Sequence, residues 1–211
     1  MVNNKISNNT KKVTPTVKPR SGAGRGRGRP KRFDRECALA SALERFRRDG
    51  YSETATGAIA ADCGGSPTSL YAEFPTKLRL FAATLKNYEL DMAHGFSAID
   101  RRDRDALPRN ILAWAARAYS EAGPYGCLVF QHIAEAADPA VRACAIEACG
   151  AFEDLIEKTL AEAGWTDATR RAQILVVAMM GLSAMARRGL PQDTLMRRAA
   201  DLAAAAAGNL A

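Results

Sequence analysis

A segment in the first half of the chain, Gly50–Lys77, constrains the fold more than any other part: GYSETATGAIAADCGGSPTSLYAEFPTK. Gly64 and Gly65 follow a short apolar helical pattern and permit a sharp reversal of the chain. Ser66 and Pro67 suit an N-cap and a first helical residue, so a second helix is predicted to begin there. The segment therefore has the layout of a DNA-reading helix-turn-helix, two short helices joined by a tight turn.

The second of these helices is limited to about two turns, because Pro75 drives Phe74 out of the helical region. Leu70 and Phe74 are spaced i, i+4 and are expected to pack inward. Thr76 can cap the next helix, which places Lys77 in a first turn beside free backbone amides, a good position for binding phosphate. The outer face of the second helix then carries Pro67, Thr68, Ser69, Ala72 and Glu73.

The order and spacing of these residues resemble the DNA-binding domain of TetR-family transcriptional regulators, over roughly residues 33–80. The matching positions are Gly50, Tyr51, Thr54, Ile59, Ala60, Gly64, Ser66, Leu70, Tyr71, Phe74, Pro75, Lys77 and Leu80. The resemblance implies DNA contacts by Ser66, Thr68, Ser69, Tyr71 and Lys77, with Tyr71 and Lys77 mainly on phosphates. Thr54 and Pro67 complete the set of candidate DNA-binding residues in this segment. The chain departs from the family pattern at Ala55, Gly57 and Gly65. Without the resemblance, an αα-hairpin that binds nothing is the alternative interpretation.

The first 32 residues form a basic arm, with ten Lys and Arg and no acidic residue. The other 179 residues carry 20 basic and 23 acidic side chains, so the net charge of +7 belongs to the arm, which indicates a polyanionic partner. Arg27 to Pro30 reads Arg-Gly-Arg-Pro and resembles the core of an AT-hook, which lies in the narrow minor groove of A·T-rich DNA. The arm residues assigned to DNA are Arg25, Arg27, Arg29, Lys31 and Arg32. A solvated tail that binds any phosphate backbone is the alternative.

The remainder of the chain predicts an all-α fold. A first helix runs from Asp34 to about Asp49, where Gly50 ends it. A helix from Thr76 continues past Met92 and belongs to both domains. Later helices are predicted at about 108–122, 126–136, 140–163, 167–188 and 192–207, separated by Gly and Pro breaks. We predict three parts: a disordered arm (1–32), a three-helix helix-turn-helix domain (33–80) and a helical effector-binding and dimerisation domain (81–211).

The last two predicted helices suggest a homodimer. Residues 172–186 contain no charged side chain and are too short to span a bilayer, so a helix buried on both sides is expected. The final helix carries a narrower apolar stripe of Leu195, Ala199, Leu202 and Ala206. Pairing of both helices with their copies gives a four-helix interface, as in the family that the chain resembles. A monomer whose core these helices complete is the alternative.

Catalytic and metal chemistry finds no support in the sequence. The only histidines, His94 and His132, have no metal-ligand spacing, and no nucleophile motif surrounds them, so we expect no enzyme, metal or cofactor.

The five cysteines are expected to be reduced thiols. Cys127 starts a helix, where the dipole favours thiolate, although a buried, inert thiol is the alternative. The residues predicted to line a ligand pocket are Tyr88, Met92, Trp114, Tyr119, Cys127, Phe130 and Phe152.

These observations favour a cytoplasmic, nucleoid-associated and homodimeric regulator that binds double-stranded DNA at a palindromic operator. The resemblance implies a repressor that a small molecule releases from its operator. An architectural protein that coats A·T-rich DNA without an effector is the alternative function.

Overall fold

A computed structural model describes residues 33–121 and 123–207. Within these ranges the chain forms nine α-helices and no strand, so the all-α prediction is confirmed. The helices are α1 (Arg35–Glu53), α2 (Thr56–Asp62), α3 (Pro67–Glu73), α4 (Lys77–Ser97), α5 (Leu107–Glu121), α6 (Leu128–Glu135), α7 (Pro139–Glu162), α8 (Ala168–Arg187) and α9 (Gln192–Ala207). The basic arm lies outside the described residues.

Helix α1 is the platform of the N-terminal helices. The Asp34 side chain accepts a hydrogen bond from the Cys37 backbone amide, which caps the first turn. Gly50 has φ +79° and interrupts the helix where the sequence predicts its end, but one further helical turn follows to Glu53. The Phe46 ring is fully buried and packs edge-on against Phe81 of α4.

Helices α2 and α3 form the predicted helix-turn-helix. Gly64 has φ +62° at the turn, a conformation that residues with a Cβ seldom adopt. Ser66 and Ser69 make a reciprocal capping box at the start of α3. Leu70 and Phe74 are buried, as their i, i+4 spacing predicts, so the opposite face of α3 is left exposed.

Helix α4 joins these helices to the rest of the chain. The Thr76 hydroxyl caps its first turn by accepting from the Arg79 amide. Its first half packs on α1, and it also packs against α7. Helix α6 packs on α1 and brings the His132 ring to 4.8 Å from the Phe81 ring. Helix α4 therefore contacts both α1 and α7.

The C-terminal helices pack as a bundle in which α8 contacts α5, α7 and α9. Leu195 and Ala199 of α9 are fully buried within their own chain, because α9 packs mainly on α5. The exposed face of α8 is apolar at Val177, whose exposed fraction is 68%. In the described ranges no helix combines the length and the apolar character that crossing a membrane requires.

A buried polar joint links α1 to the turn before α6. The Arg47 guanidinium donates to the Gly126 carbonyl oxygen at 2.6 Å, although Arg47 is only 6% exposed. Arg187 of α8 donates to the backbone oxygens of Arg47 and Tyr125 and forms an ion pair with Glu135 at 3.0 Å. Three helices, α1, α6 and α8, thus meet at one turn.

Gly126 is required by the geometry of this joint. Its φ is +64°, and an added Cβ would lie 2.6 Å from the Ser183 carbonyl oxygen. We expect Gly126→Ala to lower the free energy of unfolding by about 2 to 4 kcal/mol, through backbone strain and the clash. Gly150→Ala is the matched control, because Gly150 is helical and its Cβ would meet open space; it should raise stability by about 0.5 to 1 kcal/mol. Urea unfolding of both variants measures the difference, and equal midpoints would contradict the assignment.

Candidate DNA-reading surface and ligand cavity

The exposed face of α3 is the candidate DNA-reading surface. Pro67 and Thr68 are exposed in its first turn, and Tyr71 is 42% exposed one turn later. The Tyr71 hydroxyl lies 2.9 Å from the Thr56 hydroxyl of α2. This contact orients an aromatic side chain with a polar tip that remains at the surface.

The two serines of the cap have a different local role from Thr68. Ser69 Oγ donates to the Ser66 carbonyl oxygen and accepts from the Ser66 amide, so its hydroxyl is engaged within α3. Ser66 Oγ accepts from the Ser69 amide. Both hydroxyls fix the start of α3 and are oriented by the cap. Thr68 carries the exposed hydroxyl of this turn.

Lys77 lies at the start of α4, as predicted, but it is already bonded. Its Nζ donates to the Ser52 carbonyl oxygen at 3.0 Å and lies 4.7 Å from the centre of the Tyr51 ring. Partial burial lowers the pKa of the Lys77 ammonium. Lys77 therefore ties the last turn of α1 to the start of α4, and a phosphate would have to share or replace that bond.

The predicted DNA contact by Thr54 does not fit the structure. Thr54 is 3% exposed, and its hydroxyl donates to the Gly50 carbonyl oxygen at 2.7 Å. The bond satisfies an acceptor at the interrupted end of α1. In this chain Thr54 therefore closes the end of α1.

The basic side chains of the N-terminal helices are mostly paired within the chain. Arg45 bonds Asp62, Arg48 bonds Asp49, and Arg35 lies 2.9 Å from Glu73 of α3. Arg79, in the first turn of α4, is exposed, and its side chain has no partner within the described part of the chain. Arg79 is not among the residues that the sequence pattern assigns to DNA, although its position one turn after Thr76 places it beside the free backbone amides at the start of α4.

A disulfide joins α1 to the end of α2. Cys37 and Cys63 are bonded, with their Cα atoms 5.8 Å apart and a sequence separation of 26. The expectation of reduced thiols is wrong for this pair, because the packing of α1 on α2 brings them within bonding distance. No local spacing pattern in the sequence predicts this disulfide. Cys127, Cys144 and Cys149 are free.

A cavity of about 190 Å³ lies between α4, α5, α6 and α7. Six of the seven residues predicted to form a pocket line it: Tyr88, Met92, Tyr119, Cys127, Phe130 and Phe152. Trp114 does not line this cavity. Its ring packs edge-on against Phe96 at 5.5 Å and lies 5.8 Å from Phe152, which stands between it and the cavity.

Cys127 is the N-cap residue of α6, as the sequence predicts, but the thiolate does not prevail there. Burial raises the pKa of the Cys127 thiol, and this effect outweighs the amides of α6 that favour the charged form.

In the described ranges, no cluster of three or more His, Cys, Asp or Glu side chains has a geometry that would hold a metal ion.

Comparison with known proteins gives consistent similarities. Residues 38–84 match the family described as bacterial regulatory proteins, tetR family. The HTH-type transcriptional repressor BdcR of Escherichia coli is 33% identical over 176 residues, 82% of this chain and 89% of BdcR. The HTH-type transcriptional repressor ComR of Escherichia coli is 42% identical over 64 residues, 30% of each chain. A cysteine-substituted form of the TetR family regulator CifR, solved with 26-base-pair operator DNA, is 27% identical with a TM-score of 0.69, covering 84% of this chain and 99% of that chain.

The disulfide has a direct test. Thiol titration of the unfolded protein, purified without reductant, should count three free thiols, and the count should rise to five after reduction. Because the bond closes a loop of 26 residues, Cys37→Ser should lower the free energy of unfolding by about 3 kcal/mol without reductant. Cys144→Ser is the control and should retain the sensitivity to reductant. Five free thiols before reduction would contradict the bond.

Proposed function

The chain belongs to the tetR family of bacterial regulatory proteins, and we propose that it is a transcriptional repressor that a small molecule releases from its operator. The exposed first turn of α3 is the observation that carries the DNA-binding part. It presents Thr68 and Pro67 outward on a helix whose other face is buried through Leu70 and Phe74. A helix of this kind fits the major groove of DNA.

Base reading and positioning are assigned to different side chains. In the proposed complex, Thr68 faces base edges, where its hydroxyl and methyl group can each discriminate. Tyr71 donates to a phosphate and Ser66 and Ser69 hold the end of α3 that enters the groove. Arg79 and Lys77 lie at the start of α4, where their charge and the free amides favour a second phosphate.

The arm is proposed to supply most of the electrostatic attraction. The basic residues of the N-terminal helices are largely paired with acids or backbone oxygens, as Arg45 and Arg48 illustrate. The arm has ten basic residues and no acid. We propose that Arg25, Arg27, Arg29, Lys31 and Arg32 follow the minor groove of flanking A·T-rich DNA.

A homodimer is proposed through α8 and α9. The exposed face of α8 carries Val177, with Gly181 and Ala184 one and two turns further along. Small side chains allow two helices to approach closely, and a two-fold pair would set two α3 helices about 34 to 36 Å apart, as successive major grooves require. A palindromic operator follows from that symmetry. Such a complex would act in the cytoplasm, on the nucleoid.

Release is proposed to pass through α4. The helix begins at Lys77 beside the reading surface, and its Tyr88 and Met92 side chains line the cavity. A ligand that fits the cavity better in one orientation of α4 would bias the position of α3 by the same free energy with which DNA opposes it.

The roles of Thr68 and Tyr71 predict different losses. Tyr71→Phe removes a phosphate contact, so the affinities for operator and for random DNA should both fall about tenfold. Thr68→Val should weaken operator binding about tenfold while leaving random DNA unaffected. Fluorescence anisotropy with operator and shuffled duplexes measures both, and Tyr125→Phe is the control away from α3. Identical profiles for the two variants would refute the division of roles.

The arm can be tested by removing it. Site selection from random duplex DNA, with the full chain and with a chain starting at Phe33, should recover the same inverted repeat. The full chain alone should show flanking A·T preference, and its salt dependence should be steeper by at least about 4 in the log–log slope. Recovery of only A·T-rich sequence by the full chain, and of nothing by the shorter chain, would reject α3 as the reading element.

A further inference from the structure

The cavity described above has an apolar lining, set by residues such as Met92, Phe130, Phe152 and Leu155. Its volume of about 190 Å³ is below that of sites for drug-sized ligands, ~300 to 1,000 Å³. A molecule on the order of ten non-hydrogen atoms fits such a space.

The charged residues of the lining offer little to an ionised ligand. Lys86 and Glu89 are neighbours on α4, and Lys86 Nζ lies 3.0 Å from Glu89 Oε2, so each already has its counter-ion. The Lys86 side chain is exposed, which places the pair at the mouth of the cavity. A full charge carried past this pair would lose its hydration without gaining a partner, at considerable cost.

One phenol in the wall of the cavity, that of Tyr119, lacks a hydrogen-bond partner. The Tyr119 hydroxyl is buried and makes no hydrogen bond within the described part of the chain, although Tyr119 is only 1% exposed. A buried hydroxyl without a partner costs free energy that a ligand can recover. Burial raises the pKa of Tyr119 well above the ordinary value, so its phenol keeps its proton and can donate.

We propose that the effector is an uncharged, mainly apolar molecule of about this size with one hydrogen-bond acceptor, such as a carbonyl oxygen, that accepts from the Tyr119 hydroxyl. This inference rests on the proposed function of the cavity. Tyr119 is then the residue that selects among apolar molecules. A ligand without the acceptor leaves the hydroxyl unpaired, and a ligand with a carboxylate pays for its buried charge.

Three probes of similar size separate these properties: acetophenone carries an acceptor, ethylbenzene carries none, and benzoate carries a charge. Calorimetry on the full chain should show acetophenone binding about tenfold more tightly than either of the others. Tyr119→Phe should remove that preference over ethylbenzene and leave ethylbenzene affinity within about twofold. Because the hydroxyl makes no hydrogen bond of good geometry within the described residues, the variant should retain the wild-type melting temperature and operator affinity. Tyr125→Phe, outside the cavity, should keep the acetophenone preference.

The outcomes distinguish the ligand class from the repressor mechanism. Benzoate binding as tightly as acetophenone, an unchanged preference in Tyr119→Phe, or no binding of any probe would overturn the proposed class. The same titrations are repeated on the protein bound to labelled operator. Acetophenone that binds the free protein with the Tyr119 dependence but leaves operator affinity unchanged supports the ligand class and rejects release through this cavity.

Discussion

A buried cation holds α1 against the turn before α6. The Arg47 guanidinium donates to the Gly126 carbonyl oxygen, and no acidic side chain of the described residues is bonded to it. Its Nε has no partner within the described ranges. Because a desolvated cation beside neutral acceptors is costly, it is tolerable only where the surrounding packing fixes its place. The turn at Gly126 is therefore held in one position relative to α1.

That turn also determines the wall of the cavity. Gly126 precedes Cys127, whose backbone amide donates to Ser183 Oγ of α8 and whose thiol faces the cavity lining. Arg187, one turn beyond Ser183, bonds the Arg47 carbonyl oxygen. Gly126, Ser183 and Arg187 thus fix the start of α6, its contact with α8 and the position of α1. A side chain at Gly126 would disturb all three.

The parts of the fold that could be predicted from the sequence are those set by caps and turns between neighbouring residues. The Asp34, Ser66 and Thr76 caps and the Gly64 turn act within four residues of themselves, so the helix bounds follow closely from the sequence. The cavity-lining aromatics were predicted in part from helical spacing and the family resemblance. The position of Trp114 and the Cys37–Cys63 bond depend on which helices cross, which no local pattern records. The Arg47 contact with Gly126 spans 79 residues and was equally beyond reach.

The proposed coupling must satisfy both connections between the cavity and the reading surface. Tyr88 lies eleven residues beyond Lys77 on α4, a distance of about 16 Å along the helix. A rotation of α4 alone would strain the bond from Lys77 to the Ser52 carbonyl oxygen and the packing of Phe81 on Phe46 of α1. The N-terminal helices are therefore expected to move as one body with α4, pivoting about the joint that the Gly126 turn makes with α1 and α8. A ligand in the cavity would contact Tyr88 of α4 and Cys127 beside the Gly126 turn, and could thereby displace α3 without any contact to the DNA.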